Sequence, residues 1–148
     1  MKILIMGLPG AGKTWLAERL QKHLGCAWFN ADKVREQAND WEFGEDARIR
    51  QARRMRNLAN FEKAEGRTVI CDFVCPTALT RHIFEADIIV WMDTLEEGRF
   101  EDTNKMFEKP TDVDFHITYH LSEEDGEVER LAMAIKQTYL LNTQIIPV

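Results

Sequence analysis

Eight consecutive residues constrain this chain more than any other feature: Gly7-Leu8-Pro9-Gly10-Ala11-Gly12-Lys13-Thr14. They satisfy the pattern G-x-x-x-x-G-K-[ST] in full. At ordinary composition a chance match is on the order of 10⁻⁵ per position, so coincidence is a poor explanation. The aliphatic run at 2–6 reads as a buried parallel strand, and Leu16, Ala17, Leu20 and Leu24 follow at helical spacing until Gly25 stops them. A strand, a glycine-rich turn and a helix N-terminus together form a nest of backbone N–H groups for anions. Gly7, Leu8, Pro9, Gly10, Ala11, Gly12, Lys13 and Thr14 are therefore the expected ATP-binding residues. Lys13 is expected to reach the β- and γ-phosphates and to be catalytic, and the Thr14 hydroxyl to hold Mg²⁺. The plainer alternative is a glycine-rich turn that merely opens a helix.

The remaining pattern alternates strands and helices. Residues 26–29 read as a second strand, and 33–39 as a helix that Asp32 is placed to cap. A loop with Trp41 and Phe43 leads to a long helix at about 45–65. Strands follow at 68–73 and 88–92, with a short helix at 77–85 between them. Val113, Phe115, Ile117 and Tyr119 alternate with polar residues as in an edge strand. Val128, Leu131, Ile135 and Tyr139 mark a last helix; the tail after Asn142 carries no assignment. Such alternation predicts an α/β fold: a P-loop NTPase three-layer sandwich with a mainly parallel five-stranded sheet of nucleotide-kinase type. One domain is expected over 1–148, with a lid in the polar stretch 94–112.

Composition narrows the function. The chain has 148 residues and a net charge of −6, the wrong sign for a general nucleic-acid coat or a polybasic membrane binder. No apolar run approaches the ~20 residues of a membrane span. Cys26, Cys71 and Cys75 are odd in number and set in apolar surroundings, which argues for buried thiols and a reducing cytoplasm rather than disulfides or zinc. His116 and His120 read as a surface pair on one face of the edge strand. Guanine-reading GTPases need N-K-x-D, and Asn104-Lys105-Met106-Phe107 lacks the aspartate. A small domain with a polar segment after its fourth strand points instead to a kinase whose lid excludes water.

Ligands of parallel sheets bind beyond the carboxyl ends of the strands. Asp72 ends the third strand in the manner of a Walker-B carboxylate and is expected to hold Mg²⁺ or its water; a simple cap or loop carboxylate is the alternative. Asp32 and Arg35, three residues apart after the second strand, suit one substrate, the carboxylate taking a hydroxyl proton and the guanidinium clamping an anion. A capping aspartate with an i,i+3 ion pair is the plainer reading. Arg48, Arg50, Arg53, Arg54 and Arg56 lie on the long helix and cannot all face one site; Arg50 and Arg54 suit pairing with acidic side chains.

Several segments resemble the adenylylsulfate kinases. That family carries D-G-D-x-x-R after its second strand, and this chain has Asn30-Ala31-Asp32-Lys33-Val34-Arg35. An asparagine, an L-G-F-S turn and an arginine-rich helix are matched by Asn39, Trp41-Glu42-Phe43-Gly44 and Arg48 onward. F-I-S-P is matched by Phe73-Val74-Cys75-Pro76, and V-D-T-P-L-E by Met92-Asp93-Thr94-Leu95-Glu96. The lid is the least similar part: of R-D-P-K-G-L-Y, residues 101–107 keep only the aspartate. The resemblance implies transfer of the γ-phosphoryl of MgATP to a hydroxyl of a small nucleotide-like acceptor, adenylylsulfate first. It casts Asp32 as base, and Arg35, Asn39, Phe43, Arg48 and Phe73 as substrate-binding, with Phe43 stacked on adenine. Left open are other nucleoside, nucleotide or hydroxymethylated nucleic-acid acceptors, a non-catalytic ATP-binding switch, and a homodimeric assembly.

Overall fold

The computed structural model describes residues 1–144, so the last four positions of the expected 1–148 domain lie outside the described residues. The chain runs β1 (Lys2–Met6), α1 (Lys13–Leu24), β2 (Ala27–Asn30), α2 (Ala31–Ala38), α3 (Glu45–Ala64), β3 (Val69–Asp72), α4 (Ala78–Phe84), β4 (Ile88–Met92), α5 (Glu101–Met106), β5 (Phe115–Ile117) and α6 (Glu127–Asn142). The five strands lie in the order β2-β3-β1-β4-β5 and every pairing is parallel.

Strand alternation divides the core into two layers. Ile3 and Ile5 of β1 pack with Leu16 and Leu20 of α1 and with Val128 and Ile135 of α6. Leu4 and Met6 point the other way, onto Met55 and Ala59 of α3 and Phe84 of α4. All eleven side chains are fully buried, each contributing roughly 1.5–3 kcal/mol if as large as leucine. With helices on both faces, the strands read as unbroken apolar runs and not as alternating ones, which is why β1, β3 and β4 are so legible in the sequence.

Two expectations change at element ends. Asn30, not Asp32, caps α2: its side-chain oxygen accepts from the Lys33 N–H at 3.2 Å, leaving Asp32 in the first helical turn. The edge strand is shorter than its alternating pattern, because only Phe115, His116 and Ile117 find partners on β4. His120 therefore lies beyond the strand, and the two histidines do not form a pair. His116 stacks on Trp91 with ring centroids 4.3 Å apart and contacts Asp93 at 2.8 Å. His120 sits instead against Gly12 of the phosphate loop. The three cysteines are free and buried, as expected. Among the described residues, no helix is long and apolar enough to cross a membrane.

Candidate active site

Beyond the carboxyl ends of β1, β2 and β3 lies a cavity of ≈ 1040 Å³. Its chemistry comes from two walls. The first is the loop between β1 and α1. A side chain at Gly7, where φ is +149°, would collide with the Met92 carbonyl, so β1 can turn into the loop only at a glycine. Gly12 opens α1 in the left-handed region, at φ 99°. Pro9, Gly10, Gly12, Lys13 and Thr14 face the cavity. Gly7, Leu8 and Ala11 shape the loop from behind: the Leu8 carbonyl accepts from the Ala11 N–H at 3.1 Å and from Lys13 Nζ at 2.9 Å. Burial lowers the Lys13 ammonium to about 8, against the opposing pull of Asp72 and Asp32. An ammonium so poorly solvated is well matched to an incoming anion.

At the end of β3, Asp72 is 2 % exposed and surrounded by donors. Thr14 Oγ1 donates to its Oδ1 at 3.3 Å. Asn30 Nδ2 reaches Thr14 Oγ1 at 3.1 Å and both Asp72 oxygens at 3.2 and 3.3 Å. Trp28 Nε1 donates to Oδ2 at 2.5 Å. Burial pushes the Asp72 carboxyl up to about 6, opposed by the Trp28 and Asn30 hydrogen bonds. A hydroxyl beside a carboxylate at the mouth of an anion nest fits a magnesium ion, which typically takes one or two protein oxygens and completes its octahedron with phosphates and water. Among the described residues there is no cluster of three His, Cys, Asp or Glu that could hold a metal by itself, so phosphate oxygens would have to supply the remaining ligands.

The second wall carries Asp32, Arg35, Phe43, Arg48, Gln51 and Phe73. Asp32 is exposed to the cavity, and no hydrogen bond or ion pair involves its side chain among the described residues. The i,i+3 pair with Arg35, the plainer alternative for these two residues, does not form. Arg35 is 2 % exposed, and its Nη1 donates to the carbonyls of Asp40 at 3.1 Å and Glu42 at 2.7 Å. Its Nη2 is buried without a partner. The guanidinium is thus held to the protein through Nη1, with Nη2 free of protein partners among the described residues. Arg48 donates through Nε to the Phe43 carbonyl at 3.3 Å and through Nη2 to Thr103 Oγ1 at 2.8 Å. Burial lowers its guanidinium to about 10, with Arg35 nearby acting in the same direction. Both guanidinium groups lie over the Phe43 ring, 4.4 and 5.2 Å from its centroid. Asn39 is not brought to the cavity; it ends α2 in the left-handed conformation, with φ 50°. Arg50 and Arg54 both turn to Asp40, as their spacing suggested.

The segment 94–112 contains α5 and borders both walls. Arg99, Phe100, Asp102, Thr103 and Met106 line the cavity. The Thr94 hydroxyl donates to the Ala11 carbonyl at 2.8 Å, Thr103 receives Arg48, and the Glu108 N–H donates to the Pro76 carbonyl at 2.7 Å. Arg81 ties the same region together by donating to the carbonyls of Cys75, Pro76 and Glu108. Cys75 holds a left-handed φ of 49°, costly for a residue with a Cβ, and this turn delivers the 73–76 loop to the cavity. Burial raises its thiol to about 12, so it stays protonated.

Among the groups that escape the sequence reading are Trp28, which acts on the cavity through Asp72, and Arg99, Phe100 and Thr103, which line it directly. Trp28 and Asn30 stand two apart at the end of a strand that precedes the site, a spacing that places both on one face. That signal was available. Arg99 and Phe100 lie in a polar segment without periodicity, and nothing local marks them.

A family model described as an AAA domain matches residues 3–101. No curated protein matches the chain in sequence. Among solved structures, APE1195 is 22% identical with a TM-score of 0.78, over 94% of this chain and 96% of its own. The APS kinase of Mycobacterium tuberculosis, in complex with AMPPNP and APS, is 18% identical with a TM-score of 0.70, over 93% and 95%. The shikimate kinase of Aquifex aeolicus is 14% identical with a TM-score of 0.66, over 95% and 99%. At these identities the likeness is one of fold, and the fold is that of the P-loop kinases.

Proposed function

We propose that this chain, which belongs to the AAA domain family, is an ATP-dependent kinase that transfers the γ-phosphoryl of MgATP to a hydroxyl of a small nucleotide-like acceptor, with adenylylsulfate as that acceptor. The observation that carries the reading is the shared cavity. The phosphate loop and the unpaired Asp32 carboxylate open into one space, with Arg35 and Phe43 beside them. The fold shared with P-loop kinases, including an APS kinase holding a nucleotide analogue and APS, supports the class.

In this reading the loop at 7–14 wraps the triphosphate, and Lys13 stabilises charge that grows on the transferring group. Thr14 and Asp72 would hold a magnesium ion, which would supply charge neutralisation at the phosphate oxygens. Asp32 accepts the proton of the acceptor hydroxyl as its oxygen bonds to the γ-phosphorus and ADP departs. The free Nη2 of Arg35 meets an anionic group of the acceptor, and Phe43 offers a flat face to its base. Residues 94–112 act as a lid within one kinase unit: Thr103 meets Arg48 on one wall and Thr94 meets the phosphate loop on the other, so closure excludes water from both substrates at once.

ADP formation measured against adenylylsulfate, nucleosides, nucleoside monophosphates and hydroxymethylated DNA tests the reading. Adenylylsulfate should give the highest kcat/KM. A higher value with another acceptor would reassign the substrate, and no acceptor dependence at all would remove the kinase reading.

A further inference from the structure

We propose that Trp28 is a positioning residue for phosphoryl transfer: its indole N–H fixes the plane of the Asp72 carboxylate beside Thr14, and so sets how firmly the metal of MgATP is held. The inference rests on the kinase reading of the site above. It begins from strand register. β2 and β3 run parallel with Asn30 opposite Asp72 and Trp28 opposite Ile70. A small side chain at position 28 would end beside Ile70. Only a long one with a donor near its tip reaches past that pair to the carboxylate, as Trp28 Nε1 does at 2.5 Å from Oδ2.

The donors around Asp72 are divided unequally. Oδ2 receives the indole and the Asn30 amide, whereas Oδ1 receives that same amide and the Thr14 hydroxyl. Without the indole the carboxylate plane would be loosely held, because the terminal torsion of a carboxylate is broad and two-fold. The indole narrows that torsion by tying one oxygen down. It is a donor only, so it cannot reverse its role as an amide can. Its ring packs partly buried against the α1 side of the core, which limits its rotation. Oδ1 is thereby kept beside Thr14, where a phosphate-bound cation needs its protein oxygens. Groups that orient metal-binding side chains from behind commonly change metal affinity 10–100-fold when removed.

The test uses ADP, magnesium and the full chain. Affinity for ADP is measured by calorimetry with Mg²⁺ and with a chelator, and the ratio of the two is the readout. The wild type should bind ADP more tightly with Mg²⁺. Trp28→Phe keeps an aromatic ring in the core and removes the donor. It should leave metal-free ADP affinity within about two-fold and cut the magnesium-dependent gain by roughly ten-fold. An unchanged gain, or equal loss with and without metal alongside a lower melting temperature, would overturn the positioning role while leaving the site reading intact. A wild type whose ADP affinity ignores Mg²⁺ would overturn the site reading, and this inference with it. A second measurement needs no variant: in ¹⁵N NMR of the ADP-bound protein, Mg²⁺ should move the Trp28 indole resonance more than those of Trp41 and Trp91. An immobile Trp28 resonance contradicts the proposal.

Discussion

The phosphate loop draws its binding groups from eight neighbouring residues and mostly from backbone. The facing wall gathers Asp32, Arg35, Phe43 and Arg48 from two helices and a loop, and mostly from side chains. On the first wall the geometry is set locally, by glycines that turn the chain and a helix that begins at Gly12. On the second, each cation is bonded to protein before any substrate arrives: Arg35 to two carbonyls, Arg48 to a carbonyl and Thr103. The Asp32 carboxylate has no such bond among the described residues. A backbone nest binds phosphate in any chain that can form it, whereas a wall of shared side chains can change its ligand by changing one partner. In the proposed transfer, the donor side would specify a chemistry and the acceptor side a substrate.

That contrast can be broken from either side. The largest effect is expected on the donor wall. Lys13→Ala should lower turnover at least about 100-fold with the fold intact, because the lost charge acts most strongly on the transferring group. Near-normal turnover would remove the phosphate-loop assignment. Asp32→Asn should lower kcat by about 100-fold, a usual cost of losing a general base. Its ADP affinity and melting temperature should hardly move, since the carboxylate has no protein partner to lose. If ADP affinity fell instead, Asp32 would belong to the donor side.

Arg35→Lys sharpens the comparison further. A lysine has one nitrogen, so it cannot hold the Asp40 and Glu42 carbonyls and also present a second, separate nitrogen as Arg35 does. Acceptor kcat/KM should fall by roughly ten-fold, about 1.4 kcal/mol, while the KM for ATP stays constant. The melting temperature should also drop, because the 40–44 loop loses its anchor. A change in ATP KM alone would place Arg35 on the wrong wall. The smallest effect concerns pH. Hydrogen bonds from Arg50 and Arg54 hold the Asp40 carboxyl well below the usual carboxylate range. Its folded pKa is depressed, so its contribution is complete above the unfolded value of about 3.9 and is lost as pH falls below it. Asp40→Asn should be less stable than wild type at pH 7, and the gap in urea melts should narrow progressively as pH falls below about 4. A constant gap at every pH would show that the carboxylate charge is not what holds the arginines.

The same contrast explains what the sequence discloses. β1, β3, β4 and the long helix are legible because burial on both faces leaves continuous apolar runs, and because Gly25 and Gly66 punctuate them. The phosphate loop is legible because its residues are contiguous. On the acceptor wall, Asp32, Arg35, Phe43, Arg48 and Phe73 reach the cavity, but their partners were hidden. Arg48 and Thr103 are 55 positions apart, and no local pattern couples them. Asn39 was expected at the substrate, yet a helix end claimed it: an asparagine tolerates the left-handed conformation that stops α2. Asn30 took the capping role given to Asp32 because it stands one residue before the first helical turn. At Trp28 the spacing from Asn30 places both side chains on one face, but no local pattern shows that the indole N–H reaches a carboxylate on the neighbouring strand.

The central claim is that the two walls serve one transfer, and it is tested most directly by following the phosphoryl group. ATP labelled with ³²P at the γ-position is incubated with Mg²⁺, with and without adenylylsulfate, and the products are separated. The account predicts label in the acceptor in equal amount to the ADP formed, and little free phosphate in either reaction. Label released only as inorganic phosphate, at the same rate with and without acceptor, would contradict it.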